Sequence, residues 1–160
     1  MLELSDAQIA EFYHRSYSSV DGLWFMKLEE KYGFEAALEI DNEVWKVFPK
    51  IQARVLKSAC KMGVGLEALG ECLTAKLSLE GFSFKAEKAG ESGLRVVISR
   101  CPWHDLMIKS GRENLSVKVG SLICRTEYSV WAAEFGDNLL FRLPRQICDG
   151  AEACVLELSA

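Results

Sequence analysis

Four cysteines in the C-terminal half of this 160-residue chain, Cys101, Cys124, Cys148 and Cys154, are the side chains best suited to chemistry. A thiolate is a nucleophile and a soft metal ligand, and its availability depends on what surrounds it. Cys101 and His104 belong to Cys101-Pro102-Trp103-His104, where the pattern predicts a strand ending and a helix beginning. Backbone N–H groups at such a corner favour an anion or a thiolate. Cys124 and Glu127 stand three residues apart on one predicted helix, close enough to approach a common point. Cys148 and Cys154 bracket Asp149-Gly150-Ala151-Glu152-Ala153, a turn that can bring both sulfurs together. With His104 these cysteines make a candidate tetrahedral zinc set, or a four-cysteine iron–sulfur set. Cys101, His104, Cys124 and Glu127 are also the candidate catalytic residues. The spacing matches no zinc-finger or ferredoxin run, and the plainer alternative makes Cys124 and Cys154 small core hydrophobes. Cys60, Cys72 and His14 lie in helical patterns and are expected to be structural.

The remaining polar groups are less distinctive. Asp21-Gly22 interrupts a helical pattern, and a helical glycine costs about 1 kcal/mol relative to alanine, so close packing or a ligand is expected there. Asp41, Glu43 and Trp45 could face a pocket between helices and sheet, or be solvated helix positions. Arg95, Arg112, Arg125 and Arg142 are candidate carboxylate clamps that no spacing separates.

The elements that position these groups change period near residue 81. Ser5 is an N-cap before a helix whose Ile9, Phe12, Tyr13, Tyr17, Val20, Trp24 and Leu28 form an expected inward stripe, ending at Gly33. Ala37, Ile40, Val44, Val47, Ile51, Val55 and Ala59 mark a second helical region, in which Pro49 must kink the helix or open a new one. Leu66, Leu69, Leu73 and Leu77 mark another helix, stopped by Gly81. Alternation then takes over at Phe82/Phe84/Ala86 and Leu94/Val96/Ile98, separated by the turn-forming segment Lys88 to Gly93. A short helix follows Pro102, a longer one spans Ser116 to Phe135, and a second hairpin pairs Leu139/Phe141/Leu143 with Cys154/Leu156/Leu158. The prediction is one α+β domain, residues 1–160. Its mainly helical part is 1–80, and 81–160 is a hairpin–helices–hairpin part carrying the cysteines, with helices on one face of a four-stranded antiparallel sheet.

A formal net charge of −4 and a pI near 5.3, with no basic block, argue against nucleic acid or an anionic membrane as partner. No apolar run reaches the ~18 residues of a membrane span. Leu2-Glu3-Leu4-Ser5-Asp6 after Met1 is no secretory n-region, so a cytoplasmic, reducing setting with free thiols is expected.

The run Cys101-Pro102-Trp103, Gly111, Gly120-Ser121-Leu122-Ile123-Cys124-Arg125-Thr126-Glu127-Tyr128, Phe141 and Cys148-Asp149-Gly150-Ala151-Glu152-Ala153-Cys154 resembles the L-2-amino-thiazoline-4-carboxylic acid hydrolase-like family. Its last hairpin is similar to the 4-vinyl reductase domain, a metal- and small-molecule-binding module related to the transport-particle fold. The resemblance covers about 60 C-terminal residues well and the helical half more loosely, through Asp21, Trp24-Phe25, Asp41 and Trp45. That family has an Asp-Phe pair after its last cysteine, where this chain has Val155-Leu156, and commonly an Asp where Glu127 stands. A metal corner without an unambiguous base and nucleophile pair predicts a small-molecule-binding domain that senses or carries a ligand at a cysteine-based zinc or iron–sulfur site. The resemblance implies, as the alternative, a hydrolase opening a cyclic amidine C–N bond. Relatives of the fold assemble with partners, so an adaptor role and a homodimer are further expectations.

Overall fold

A capping box starts the chain's first helix. In this computed structural model, which describes residues 3–90 and 92–160, Gln8 donates its backbone N–H to Ser5 Oγ at 3.3 Å and accepts the Ser5 N–H on Oε1 at 2.9 Å. Helix α1 runs Asp6–Tyr32 and stops at Gly33, whose φ of 88° suits a residue without Cβ. Helix α2 is Phe34–Trp45 and α3 is Phe48–Ala59, with Pro49 in its first turn, so Pro49 opens a new helix rather than bending one. Helix α4 spans Leu66–Leu79. Strands β1 (Ser83–Lys88) and β2 (Gly93–Arg100), helices α5 (Pro102–Lys109) and α6 (Glu113–Phe135), and strands β3 (Leu140–Arg145) and β4 (Cys154–Ser159) complete the order, with one 3-10 turn at Ile147–Asp149. Glu91 of the predicted turn, and Met1 and Leu2 ahead of the cap, lie outside the described residues.

The chain divides into two compact units, Met1–Asp41 and Asn42–Ala160. In the second, the strands form one antiparallel sheet in the order β1-β2-β4-β3, so the two hairpins join through their central strands. The β2–β4 register sets Leu94 opposite Leu158, Val96 opposite Leu156 and Ile98 opposite Cys154. That row packs with Leu69, Leu73 and Leu77 of α4 and with Tyr128, Trp131 and Phe135 of α6 to make the core. The neighbouring row carries Arg95 opposite Glu157, with Arg142 of β3 on its other side, the charged alternation of a solvated face. The α+β class and the antiparallel four-stranded sheet are as the alternation requires.

Two predicted apolar faces point the other way. Ile9, Phe12, Tyr13, Val20 and Trp24 of α1 are exposed, and the half-buried positions are His14, Tyr17, Ser18, Asp21, Gly22, Phe25, Leu28 and Glu29. The helix is apolar on both sides, so its period alone cannot choose one. Ile40, Val44, Val47, Ile51 and Val55 are likewise exposed, while Ala37, Leu38, Trp45, Pro49 and Ala53 are buried. In α3 the small Ala53 takes the inside position and the β-branched residues stay out. No described helix is long and apolar enough to cross a membrane.

Candidate functional site

Four elements of the second unit each deliver one thiol to the same region. Cys101 follows β2 and is the N-cap of α5, with an extended backbone (φ −113°, ψ 114°). Cys124 lies mid-helix in α6, Cys148 in the 3-10 turn, and Cys154 at the first position of β4. The sheet register does much of this work, because Ile98 opposite Cys154 leaves Cys101 just beyond the paired region, beside the start of β4. The sulfur of Cys154 accepts the backbone N–H of Ile147 at 3.2 Å, which ties the turn to the strand. All six cysteines are free thiols.

Gly120 is the packing device on α6. A Cβ built there would stand 2.5 Å from Cys148 Sγ, well inside van der Waals contact. The Gly120 carbonyl accepts Gln146 Nε2 at 2.9 Å, so the turn is bonded to the helix where the sulfur rests on it. A glycine in mid-helix is costly, and the close approach of Cys148 is the compensating feature.

Partial burial raises the pKa of each thiol in the cluster. Burial pushes the Cys101 thiol up to about 11, although the amides of His104 and Trp103 at the head of α5 pull the other way. Burial also raises Cys124 well above its ordinary value, and the neighbouring charges of Glu127, Cys101, Cys148 and Cys154 add to it. Cys148 is raised by burial and by Cys154, and Cys154 by burial against the opposing Ile147 N–H. These mutual influences make the four sulfurs electrostatic neighbours. His104 contributes one further feature, a buried Nδ1 with no hydrogen-bond partner among the described residues.

Glu127 faces a buried ion-pair group that the spacing of the cysteines did not foretell. Lys76 Nζ bonds Glu127 Oε1 and stands 3.0 Å from Glu80 Oε2, and Gln52 Nε2 donates to Glu80 Oε1 at 2.9 Å. Lys76, Glu80 and Glu127 are only 3%, 7% and 5% exposed. Burial alone would discharge Lys76, but Glu127 and Glu80 outweigh it and hold the ammonium above its usual range. Burial raises the Glu127 carboxyl, and Glu80 raises it further while Lys76 opposes. Phe82 and Tyr128 close over the ammonium with ring centres at 5.4 and 5.6 Å. The available signal was a charge pair on an apolar stripe: Lys76 and Glu80 continue Leu69, Cys72 and Leu73 at helical steps.

The other candidates are placed elsewhere. Cys72 is buried in α4, as expected of a core thiol, whereas Cys60 at the end of α3 is exposed and is no core residue. His14 is half-buried on α1, and burial raises Asp21 on the same helix. Glu43 is exposed and paired with Lys46, while Trp45 is buried edge-on to Trp103 at 6.2 Å. Arg95 pairs with Glu87 at 3.1 Å, Arg142 sits opposite Glu157, and Arg125 Nη2 reaches the Leu143 carbonyl at 3.5 Å. Arg112 directly precedes α6 as its N-cap residue. Among the described residues, no group of three or more His, Cys, Asp or Glu side chains is already arranged around a point that could hold a metal ion.

Residues 4–142 match the model of a family of unknown function, DUF6125. The chain belongs to the DUF6125 family. No curated protein and no solved structure matches it. The DUF6125 match takes in Lys76, Glu80, Cys101, Cys124 and Glu127 and ends before Cys148 and Cys154.

Proposed function

We propose that this domain binds a thiophilic metal through Cys101, Cys124, Cys148 and Cys154, and senses or carries a small ligand at that centre. The observation that supports the reading is that four free, partly buried thiols come from four elements and influence one another electrostatically. The donor set suits zinc first and an iron–sulfur cluster second. Gly120 supplies the space that lets Cys148 reach the cluster, and the unpartnered His104 Nδ1 is a further donor at its edge. A cysteine rotamer change moves its sulfur by about 3 Å, and the reading requires such turns of χ1 to bring the thiols to a common point. Without a cation, burial keeps these groups protonated, so binding releases protons and depends on pH. The test is elemental analysis and an absorption spectrum of protein purified without oxygen. Stoichiometric zinc lost in Cys101→Ser and Cys154→Ser supports the reading, and a broad visible charge-transfer band assigns iron–sulfur. Protein without metal, which also takes up none from added zinc, overturns it.

A second reading follows from Glu127, a buried carboxyl with a raised pKa next to Cys101 and Cys124. Such a group is suited to deliver a proton to a departing nitrogen while water or a thiolate attacks a ring carbon. This is the cyclic-amidine hydrolase that the resemblance implies, with Cys101 or Cys124 as attacking group and His104 as alternative acid/base. The protonated state of the thiols places it behind the metal reading. Ring-opening of thiazoline carboxylates, abolished by Glu127→Gln, is its test.

A further inference from the structure

Helix α1 carries an exposed apolar face. At about 100° per residue, Ile9, Phe12, Tyr13, Val20, Leu23 and Trp24 fall within roughly a third of its circumference. All six are exposed, with Phe12, Tyr13 and Trp24 at 64%, 67% and 67%. The half-buried His14, Tyr17, Ser18, Asp21, Gly22, Phe25, Leu28 and Glu29 lie on the adjoining arc of the helix. From typical side-chain areas, these six residues present roughly 600–700 Å² of apolar surface. The largest patch on an ordinary monomer is about 300–600 Å², and each partner in a standard interface contributes about 800 Å².

The order of residues along the face says what covers it. Ile9 and Trp24, Tyr13 and Val20, and Asp6 and Lys27 are each symmetric about a point between Ser16 and Tyr17. We propose that two copies of this chain pair through α1, antiparallel, about a dyad at that point. Ile9 then packs on the partner's Trp24, and Tyr13 on the partner's Val20. Asp6, in the first turn, faces the partner's Lys27 at each end. Lys27 already holds Glu30 at 2.7 Å on its own helix and has a donor left for an incoming carboxylate. Antiparallel pairing also sets the dipole of each helix against that of the other. A two-fold contact is self-complementary, and the Ile9–Trp24, Tyr13–Val20 and Asp6–Lys27 matches satisfy that condition, while Phe12 and Leu23, whose mates by the same symmetry are Asp21 and Ala10, flank the seam.

Sedimentation velocity of the full chain over a range of concentrations tests this. The expected result is a dimer that becomes monomeric in Val20→Arg with an unchanged far-ultraviolet circular dichroism spectrum. Asp6→Lys and Lys27→Asp each weaken association by about three- to tenfold, and the double exchange restores it. In a Cys60→Ser background, Ser16→Cys forms an intermolecular disulfide on oxidation, whereas Ile9→Cys, about 22 Å away from the equivalent residue across the dyad, does not. A chain that is monomeric at all concentrations overturns the proposal, as does a dimer indifferent to Val20→Arg or a double exchange that fails to restore pairing. A monomer that instead floats with anionic phospholipid vesicles assigns the face to a membrane and overturns it too.

Discussion

Gly120→Ala is the most direct perturbation of the thiol cluster, because one added carbon meets one sulfur. The new Cβ stands 2.5 Å from Cys148 Sγ, 3.5 Å from Gln146 Nε2 and 3.6 Å from Cys148 Cβ. Carbon and sulfur need more than 3 Å, so the sulfur must retreat by about 1 Å, or the 3-10 turn must lift from α6. Overpacking of this kind costs about 1–3 kcal/mol, and alanine in a helix returns about 1 kcal/mol. The net expectation is a loss of about 0–2 kcal/mol, which by itself is a weak test. A double-mutant cycle removes the ambiguity. In Cys148→Ala the sulfur is gone, so Gly120→Ala there keeps the helix gain without most of the clash and stabilises by up to about 1 kcal/mol. The coupling between the two positions is therefore about 1–3 kcal/mol, read from urea unfolding of the four proteins. A coupling below about 0.5 kcal/mol would mean that Cys148 does not rest on Gly120 and that the turn is not packed against α6 there.

Three other outcomes follow from the buried charges and thiols. Lys76→Met strands Glu80 and Glu127 without their cation and should cost about 3–5 kcal/mol in urea unfolding. A loss under 1 kcal/mol would mean that the ammonium is not buried between them. At alkaline pH the metal-free protein should lose stability. The Cys101 pKa is raised to about 11 from an ordinary 9.0, so the folded chain keeps a proton that the unfolded chain releases between those values. Stability therefore falls as pH rises from 9 to 11, by at most about 2.7 kcal/mol from this group, and a flat profile in thermal melts would contradict it. Alkylation at pH 8, followed by mass spectrometry, should modify exposed Cys60 first and Cys101, Cys124, Cys148 and Cys154 at least about tenfold more slowly. Rapid labelling of Cys124 would contradict its burial.

The helices and strands were legible because their signals are local. Ser5, Gly33, Pro49, Pro102 and Gly136 mark element ends through backbone geometry that needs no distant partner. Which face packs was less legible. In α1 the large residues Phe12, Tyr13 and Trp24 advertise a core face yet stand exposed, while Asp21 and Ser18 occupy the half-buried side. A helix with apolar residues on both sides satisfies the same period in either orientation, and the choice is made by packing between elements. The run from Ile40 to Val55 went astray for a related reason. Pro49 starts a separate helix, so one stripe drawn through both segments has no single face to describe.

The site divides along the same line. Cysteines were visible by type, and Cys101 and Cys154 lie where the β2–β4 pairing ends, a pairing that alternation alone does not select. The cation beside them was not visible, because Lys76 meets Glu127 across 51 residues and Glu80 meets Gln52 across 28. Ordinary reading assigns helical lysines to solvent, and only their place on the Leu69–Leu73–Leu77 stripe says otherwise. The ion-pair group changes the chemistry expected of the thiols. Burial is the main cause that raises Cys101 and Cys124, and Glu127 adds to it at both. A thiolate nucleophile standing alone would add charge to a place that already repels it. Thiolates formed together with a bound cation do not, because the cation supplies the missing charge. On the proposed metal reading, the sulfurs would ionise together with the bound cation rather than singly.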